Sequence, residues 1–145
     1  MGRNVARGAG ARGWDASRRL AGRLEARGHA GTLQGAVAGE ACGCAVAACG
    51  VGHEVAEGRA DRGVLICGTG IGMSIAANKV HGVRAAVVNN ELTSQLARSH
   101  NDANVVCMSA DLLGLRLIEQ IVERFLTTEH EGGRHARRVE RITAI

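Results

Sequence analysis

Aromatic residues are almost missing from this chain of 145 residues. It has one Trp, one Phe and no Tyr, and it has no proline at all. A core without aromatic rings must be aliphatic, and hydrophobic residues make up 46% of the sequence, enough for one domain spanning 1–145. The same shortage removes the stacking platforms that single-stranded nucleic acid uses, and the net charge of +4 is spread along the chain, so no nucleic-acid partner is expected. No apolar run reaches the length of a membrane span, and the Arg-rich N-terminus lacks the apolar stretch of a secretory signal. No membrane partner and a cytoplasmic location are therefore expected. The cysteines are odd in number (Cys42, Cys44, Cys49, Cys67 and Cys107), which argues against a disulfide framework. Cys42, Cys44 and Cys49 follow a C-x-C-x4-C spacing that structural zinc sites do not use, so no metal is expected.

From residue 62 onward, strand and helix patterns alternate. Val64–Cys67, Val83–Val88 and Asn104–Met108 read as strands, and Ile71–Val80, Glu91–Ser99 and Leu112–Thr127 as helices. In the last helix Leu113, Leu117, Ile118, Ile121, Val122 and Phe125 recur at helical spacing. Such alternation implies an α/β fold with a mostly parallel sheet and helices on both faces. Two glycines break the last helix, and a short basic helix is expected from about Arg134, carrying the cluster Arg134, Arg137, Arg138 and Arg141. In the first third only Asp15–Arg27, with Gly28 as its cap, reads clearly as a helix. Strands near 4–9 and 30–37 are weak candidates, and residues 1–13 and 39–52 lack a hydrophobic pattern.

The stretch VLICGTGIGMSIAANK (residues 64–79) joins a strand, a glycine turn and a helix. Its backbone N–H groups and helix start suit an anion. It lacks the Lys-Ser/Thr of a P-loop, and Met73 stands where a dinucleotide fingerprint needs its third glycine. Cys67 lies at the strand's carboxyl end, where parallel sheets bind ligands, and a thiol beside N–H groups is favourably placed to ionise. A second motif, SHNDANVV (residues 99–106), has capping character but carries His100 and Asn101. In a βαβ fold it lies on the edge opposite Cys67, so a site using both would need two copies of the chain.

LICGTGIGMSIAANK, SHNDANVV and EGGRHARRVERITAI, in this order, resemble the type B ribose-5-phosphate isomerases of the ribose/galactose isomerase family, densely from about Glu54 to the C-terminus. The resemblance implies a Rossmann-like three-layer sandwich with a sheet of about five strands. It also implies a homodimer or dimer of dimers with active sites at the interface, and aldose–ketose isomerisation of ribose 5-phosphate and ribulose 5-phosphate without a cofactor. By the same resemblance Cys67 moves the proton between C1 and C2, and Thr69 assists on the sugar oxygens. Gly68, Gly70 and Gly72 hold the enediolate oxygen, His100 opens the ring with Asn101 beside it, and Arg134 and Arg138 clamp the phosphate. Galactose 6-phosphate and allose 6-phosphate are the alternative substrates.

Two windows depart from the family pattern. Its Gly-x-Asp-His-Ala-Gly motif reads Gly8-Ala9-Gly10-Ala11-Arg12-Gly13 here, without the Asp or the His. Its Asp-Tyr-Pro segment is replaced near Gly43–Ala47. Both windows have in-register flanks and a Gly/Ala/Arg/Cys composition, which paired compensating frameshifts of GC-rich DNA would produce. The alternative function is a sugar-phosphate-binding homologue with impaired turnover.

Overall fold

A computed structural model of the chain describes residues 2–35 and 43–145. Strands β1 (Val5–Ala9), β2 (Leu33–Gly35), β3 (Arg62–Cys67), β4 (Ala85–Val87) and β5 (Val105–Ser109) form one all-parallel sheet in the order β2-β1-β3-β5-β4. The helices are α1 (Trp14–Ala26), α2 (Cys44–Ala56), α3 (Ile71–Ala77), α4 (Glu91–Asn101), α5 (Leu115–Thr127) and α6 (Arg134–Thr143). The helix after the glycine turn stops at Ala77, not Val80. The next residue, Asn78, turns its amide to β4, accepting from the Ala85 N–H at 2.8 Å and donating to the Ala85 carbonyl at 3.0 Å.

Side chains alternate across the sheet. Val5, Val64, Ile66, Val106 and Met108 meet Leu20 and Leu24 of α1 and Ile118, Ile121, Val122 and Phe125 of α5 in one core. Ala6, Leu65, Cys67, Val105 and Cys107 meet Ala47, Ala48 and Val51 of α2 and Met73 and Ala77 of α3 in the other. The core is aliphatic as composition demands, with Phe125 fully buried.

Among the described residues, the N-terminal windows without a hydrophobic pattern are built into the sheet and its helix layer. β1 is buried along its whole length, between β2 and β3. It escapes a hydrophobic pattern for two reasons. Gly8 lets α2 lie close, since a Cβ there would be 2.7 Å from Leu65 Cδ2 and 3.0 Å from Val51 Cγ2. Arg7 faces the other core buried, and its Nε and Nη1 have no hydrogen-bond partner among the described residues. α2 carries much of the second altered window; Ala47, Ala48 and Val51 form a small, buried face against the sheet. Residues 39–42 of that window, Cys42 included, lie outside the described residues. Gly28 (φ +78) caps α1 as expected: its N–H reaches the Glu25 carbonyl, and the His29 N–H reaches that of Leu24.

Candidate active site

In a parallel sheet the ligand crevice opens at the carboxyl ends of two neighbouring strands from which the chain departs in opposite directions. Here those strands are β1 and β3: α1 leads outward to β2, and α3 leads the other way to β4. The Gly10 N–H donates to the Ile66 carbonyl at 3.0 Å, so the turns after both strands are held together.

Cys67 ends β3 at this point and is 6% exposed. Its Sγ accepts the Gly70 N–H at 3.2 Å. Gly70 has φ +77, and a Cβ there would lie 2.9–3.0 Å from the Met108 backbone, so the turn that aims this N–H at sulfur requires glycine. Thr69 is exposed at the tip, and its Oγ1 accepts the Ile71 N–H at 3.3 Å. The first turn of α3 leaves the N–H groups of Gly72 and Met73 without an intrahelical carbonyl. The end of β5 braces the turn from behind. Ala110 N–H donates to the Cys67 carbonyl at 2.8 Å, and the Gly68 carbonyl accepts from Ser109 Oγ at 2.5 Å and from the Asp111 N–H at 3.2 Å. Beside Cys67, burial pushes the Cys107 thiol far up, with the neighbouring Cys67 adding to the shift, so Cys107 stays a protonated apolar filler.

Gly10 and Ala11, the positions of the missing Asp-His pair, border this turn. A Cβ on Gly10 would lie 2.5 Å from Cys44 Sγ and 3.1 Å from Cys67 Cβ, so the thiol of α2 occupies the space an acidic side chain would enter. Cys49 points elsewhere, to the Ala76 carbonyl of α3 at 3.8 Å.

His100 and Asn101 close α4, which runs against the strands and ends at the amino edge of the sheet. Their neighbours are capping groups. Asp102 (φ +46) accepts from Arg98 at 2.8 Å and Arg84 at 3.1 Å, while Asn104 accepts the Arg84 N–H at 2.8 Å and donates to the Gly82 carbonyl at 2.8 Å. The chain between α5 and α6 is strapped to the same point: the Glu131 N–H donates to the Ser99 carbonyl at 3.0 Å, and His130 Nδ1 contacts the same oxygen at 3.0 Å. As a result His135 of α6 stacks on His100, with ring centroids 4.1 Å apart and planes 6° from parallel. A Glu131 carboxylate oxygen lies 3.5 Å from His135 Nε2 and 4.0 Å from His100 Nε2. Burial lowers the His135 pKa first, and the charges of His100 and Arg134 lower it further. Arg134 and Arg138 are exposed beside this stack, one turn apart on α6. His100, Glu131 and His135 offer ligand atoms within 4.8 Å of one another. Because the rings are parallel, their in-plane lone pairs run side by side, and an ion in the plane of one ring would lie out of the plane of the other.

Cys67, Gly68, Thr69, Gly70 and Gly72 are thus gathered at one edge of the sheet, and His100, Asn101, Arg134 and Arg138 at the other. The sequence alone missed Glu131 and His135 at the second edge, and at the first an ion pair of Arg12 with Asp111 above Gly68. His135 stood next to Arg134 in the basic tail, which was the one available signal.

A thiol held by a backbone N–H in a turn of donors thus ends the central strand of an α/β sheet, with an imidazole–guanidinium cluster on the opposite edge. The chain belongs to the Ribose/Galactose Isomerase family, which matches residues 5–142. Ribose-5-phosphate isomerase B of Escherichia coli K12 is 53% identical over 91 residues, which cover 63% of this chain and 61% of that protein. The alignment therefore spans about three fifths of that relative's length. Among solved structures, a ribose 5-phosphate isomerase from Thermotoga maritima superposes with a TM-score of 0.96 at 34% identity, covering 100% of both chains. Ribose-5-phosphate isomerase B from Mycoplasma genitalium, solved with bound ribulose-5-phosphate, superposes with a TM-score of 0.91 at 34% identity, covering 97% of this chain and 94% of that one. These neighbours share the five-stranded parallel sheet with helices on both faces. No helix among the described residues is long and apolar enough to cross a membrane.

Proposed function

We propose that this protein interconverts a phosphorylated aldose and its ketose, with ribose 5-phosphate and ribulose 5-phosphate as the preferred pair. The observation that carries the reading is the buried Cys67 sulfur held by the Gly70 N–H at the switch point of the sheet, in a chain of the isomerase family. Cys67, as thiolate, takes the proton from the carbon next to the carbonyl. Negative charge then moves onto the carbonyl oxygen as an enediolate, and the same thiol returns the proton to the neighbouring carbon. N–H groups of the Gly68–Gly72 turn face the developing charge, and Thr69 passes protons between the sugar oxygens. His100 opens the sugar ring, Asn101 orients it, and Arg134 with Arg138 holds the phosphate as a bidentate pair.

Because the two groups of residues occupy opposite edges, the site is completed by a second copy. The edge strand β4 and its flanking helices carry the apolar surface for that contact: Ile71, Ile75, Leu92 and Leu96 are all exposed. The test is a substrate panel of ribose 5-phosphate, galactose 6-phosphate and allose 6-phosphate, run with the wild type and with a mixture of Cys67→Ala and His100→Asn chains. Preference for the pentose, and turnover by the mixture at about a quarter of wild type when half the dimers are mixed with one intact site each, supports the reading. An inert mixture whose parents dimerise counts against the shared site. Binding of sugar phosphates without any turnover favours the impaired homologue, which the missing Asp-His pair motivates.

A further inference from the structure

Arg12 and Asp111 lie 99 positions apart in the chain, yet they meet at 2.6 Å directly above the glycine turn. A Cβ on Gly68 would touch Asp111 Oδ2 at 3.1 Å, Arg12 Cζ at 3.3 Å and Arg12 Nε at 3.4 Å, so both charged groups rest on the residue that follows Cys67. Asp111 is itself fixed, its N–H bonded to the Gly68 carbonyl. Arg12 is held from below, because Gly13 packs on the Ile66 carbonyl so closely that no Cβ fits. The guanidinium has five N–H donors. Nη1 is committed to Asp111, and the side chain is 74% exposed, which leaves its other donors open to a ligand beside the glycine turn. Arg12 supplies two of the three atoms nearest to a Cβ on Gly68, and the Arg134–Arg138 cluster belongs to the opposite edge.

We infer that Arg12, oriented by Asp111, is a further catalytic residue of this site: its guanidinium donates to the enediolate oxygen as charge builds there. The inference rests on the isomerase reading. Distance favours the reacting end of the sugar over the phosphate. Arg12 sits on the residue next to the proton-transferring sulfur, whereas the phosphate of a pentose 5-phosphate is attached four carbons from C1. Asp111 neutralises the fork in the free protein, so Arg12 adds little attraction for the ground-state sugar. It gains most when the oxygen becomes anionic, which is interaction specific to the transition state.

The experiment measures kcat and KM for Arg12→Gln, Arg12→Lys, Asp111→Asn and the Arg12→Gln/Asp111→Asn pair, with urea midpoints to certify folding. Arg12→Gln is expected to lower kcat by about 100-fold with KM nearly unchanged, the range for a lost oxyanion donor. Arg12→Lys should retain part of kcat. Asp111→Asn should cost less than Arg12→Gln and nothing further in the double variant, as an orienting residue must. A further variant, Arg12→Ala, should regain part of its turnover in millimolar methylguanidinium. An unchanged kcat in Arg12→Gln overturns the inference. So does a loss carried wholly by KM together with weaker inhibition by inorganic phosphate, since that result makes Arg12 a phosphate contact. A wild type without turnover would sink the isomerase reading instead, so the two failures are separable.

Discussion

Gly70 and Gly72 stand two residues apart in the same turn, and replacing each by alanine should move stability in opposite directions. Gly70 is left-handed at φ +77, a conformation that costs a residue with a Cβ about 1–2 kcal/mol. The added Cβ would also sit 2.9–3.0 Å from the C, N and O atoms of Met108 in β5, which are backbone and cannot rotate away. Forcing such overlap into a packed interior adds about 1–3 kcal/mol. The sum for Gly70→Ala is a loss of about 2–5 kcal/mol, or roughly 3 °C of Tm for each kcal/mol in a chain of this size. Gly72 lies inside α3 with nothing within 4 Å of its would-be Cβ, so Gly72→Ala should gain up to about 1 kcal/mol from helix propensity. Urea unfolding of both variants, followed by circular dichroism, measures the pair. Because the Gly70 turn also delivers the N–H to Cys67 Sγ, Gly70→Ala should lose turnover even where it remains folded. A Gly70→Ala midpoint equal to or above that of Gly72→Ala would refute the left-handed, closely packed turn at Gly70.

Arg7→Met should leave stability unchanged or raise it by about 1–4 kcal/mol in a thermal melt, because Arg7 Nε and Nη1 are buried without a hydrogen bond among the described residues and burial already lowers its pKa; a clear loss would mean the guanidinium is well paired. His135 is held below the usual histidine pKa, so the unfolded chain binds its proton more readily than the fold, and stability should fall as pH drops through about 6.5. Urea midpoints at pH 7.5 and 5.5 should therefore fall less for His135→Gln than for the wild type, and equal falls would contradict the assignment. Arg138→Ala should raise KM for the sugar phosphate while leaving the unfolding free energy within about 0.5 kcal/mol of wild type, since an exposed arginine contributes little to folding; an unchanged KM would remove it from the clamp.

What could be read from the sequence depended on whether an element's packing partner is a periodic neighbour or a distant one. β3, α3, α4, β5 and α5 were legible because apolar runs and helical spacing encode burial locally, and the Cys67 turn because its glycines mark a backbone need. β1 was only weakly legible, as a candidate near 4–9, since its centre is an arginine and a glycine, and the reason for the glycine lies in β3 and α2. α2 was not, because alanine, glycine and cysteine carry almost no amphipathic contrast even where Ala48 and Val51 are fully buried. The Arg12–Asp111 pair joins the first altered window to a loop outside both windows. The His100–His135 stack joins two motifs that were read separately. Long-range meetings of this kind leave no trace in spacing.

The proposed function requires Cys67 to move a proton between adjacent carbons of a phosphorylated sugar. Proton NMR of ribose 5-phosphate in deuterium oxide tests it directly, with wild type and Cys67→Ala at equal concentration. The wild type is expected to give ribulose 5-phosphate with solvent deuterium at C1, taken up where the thiol proton exchanges before its return, and Cys67→Ala a rate lower by about 100-fold or more, as for a lost general base. Equal rates of exchange in the two proteins would contradict it.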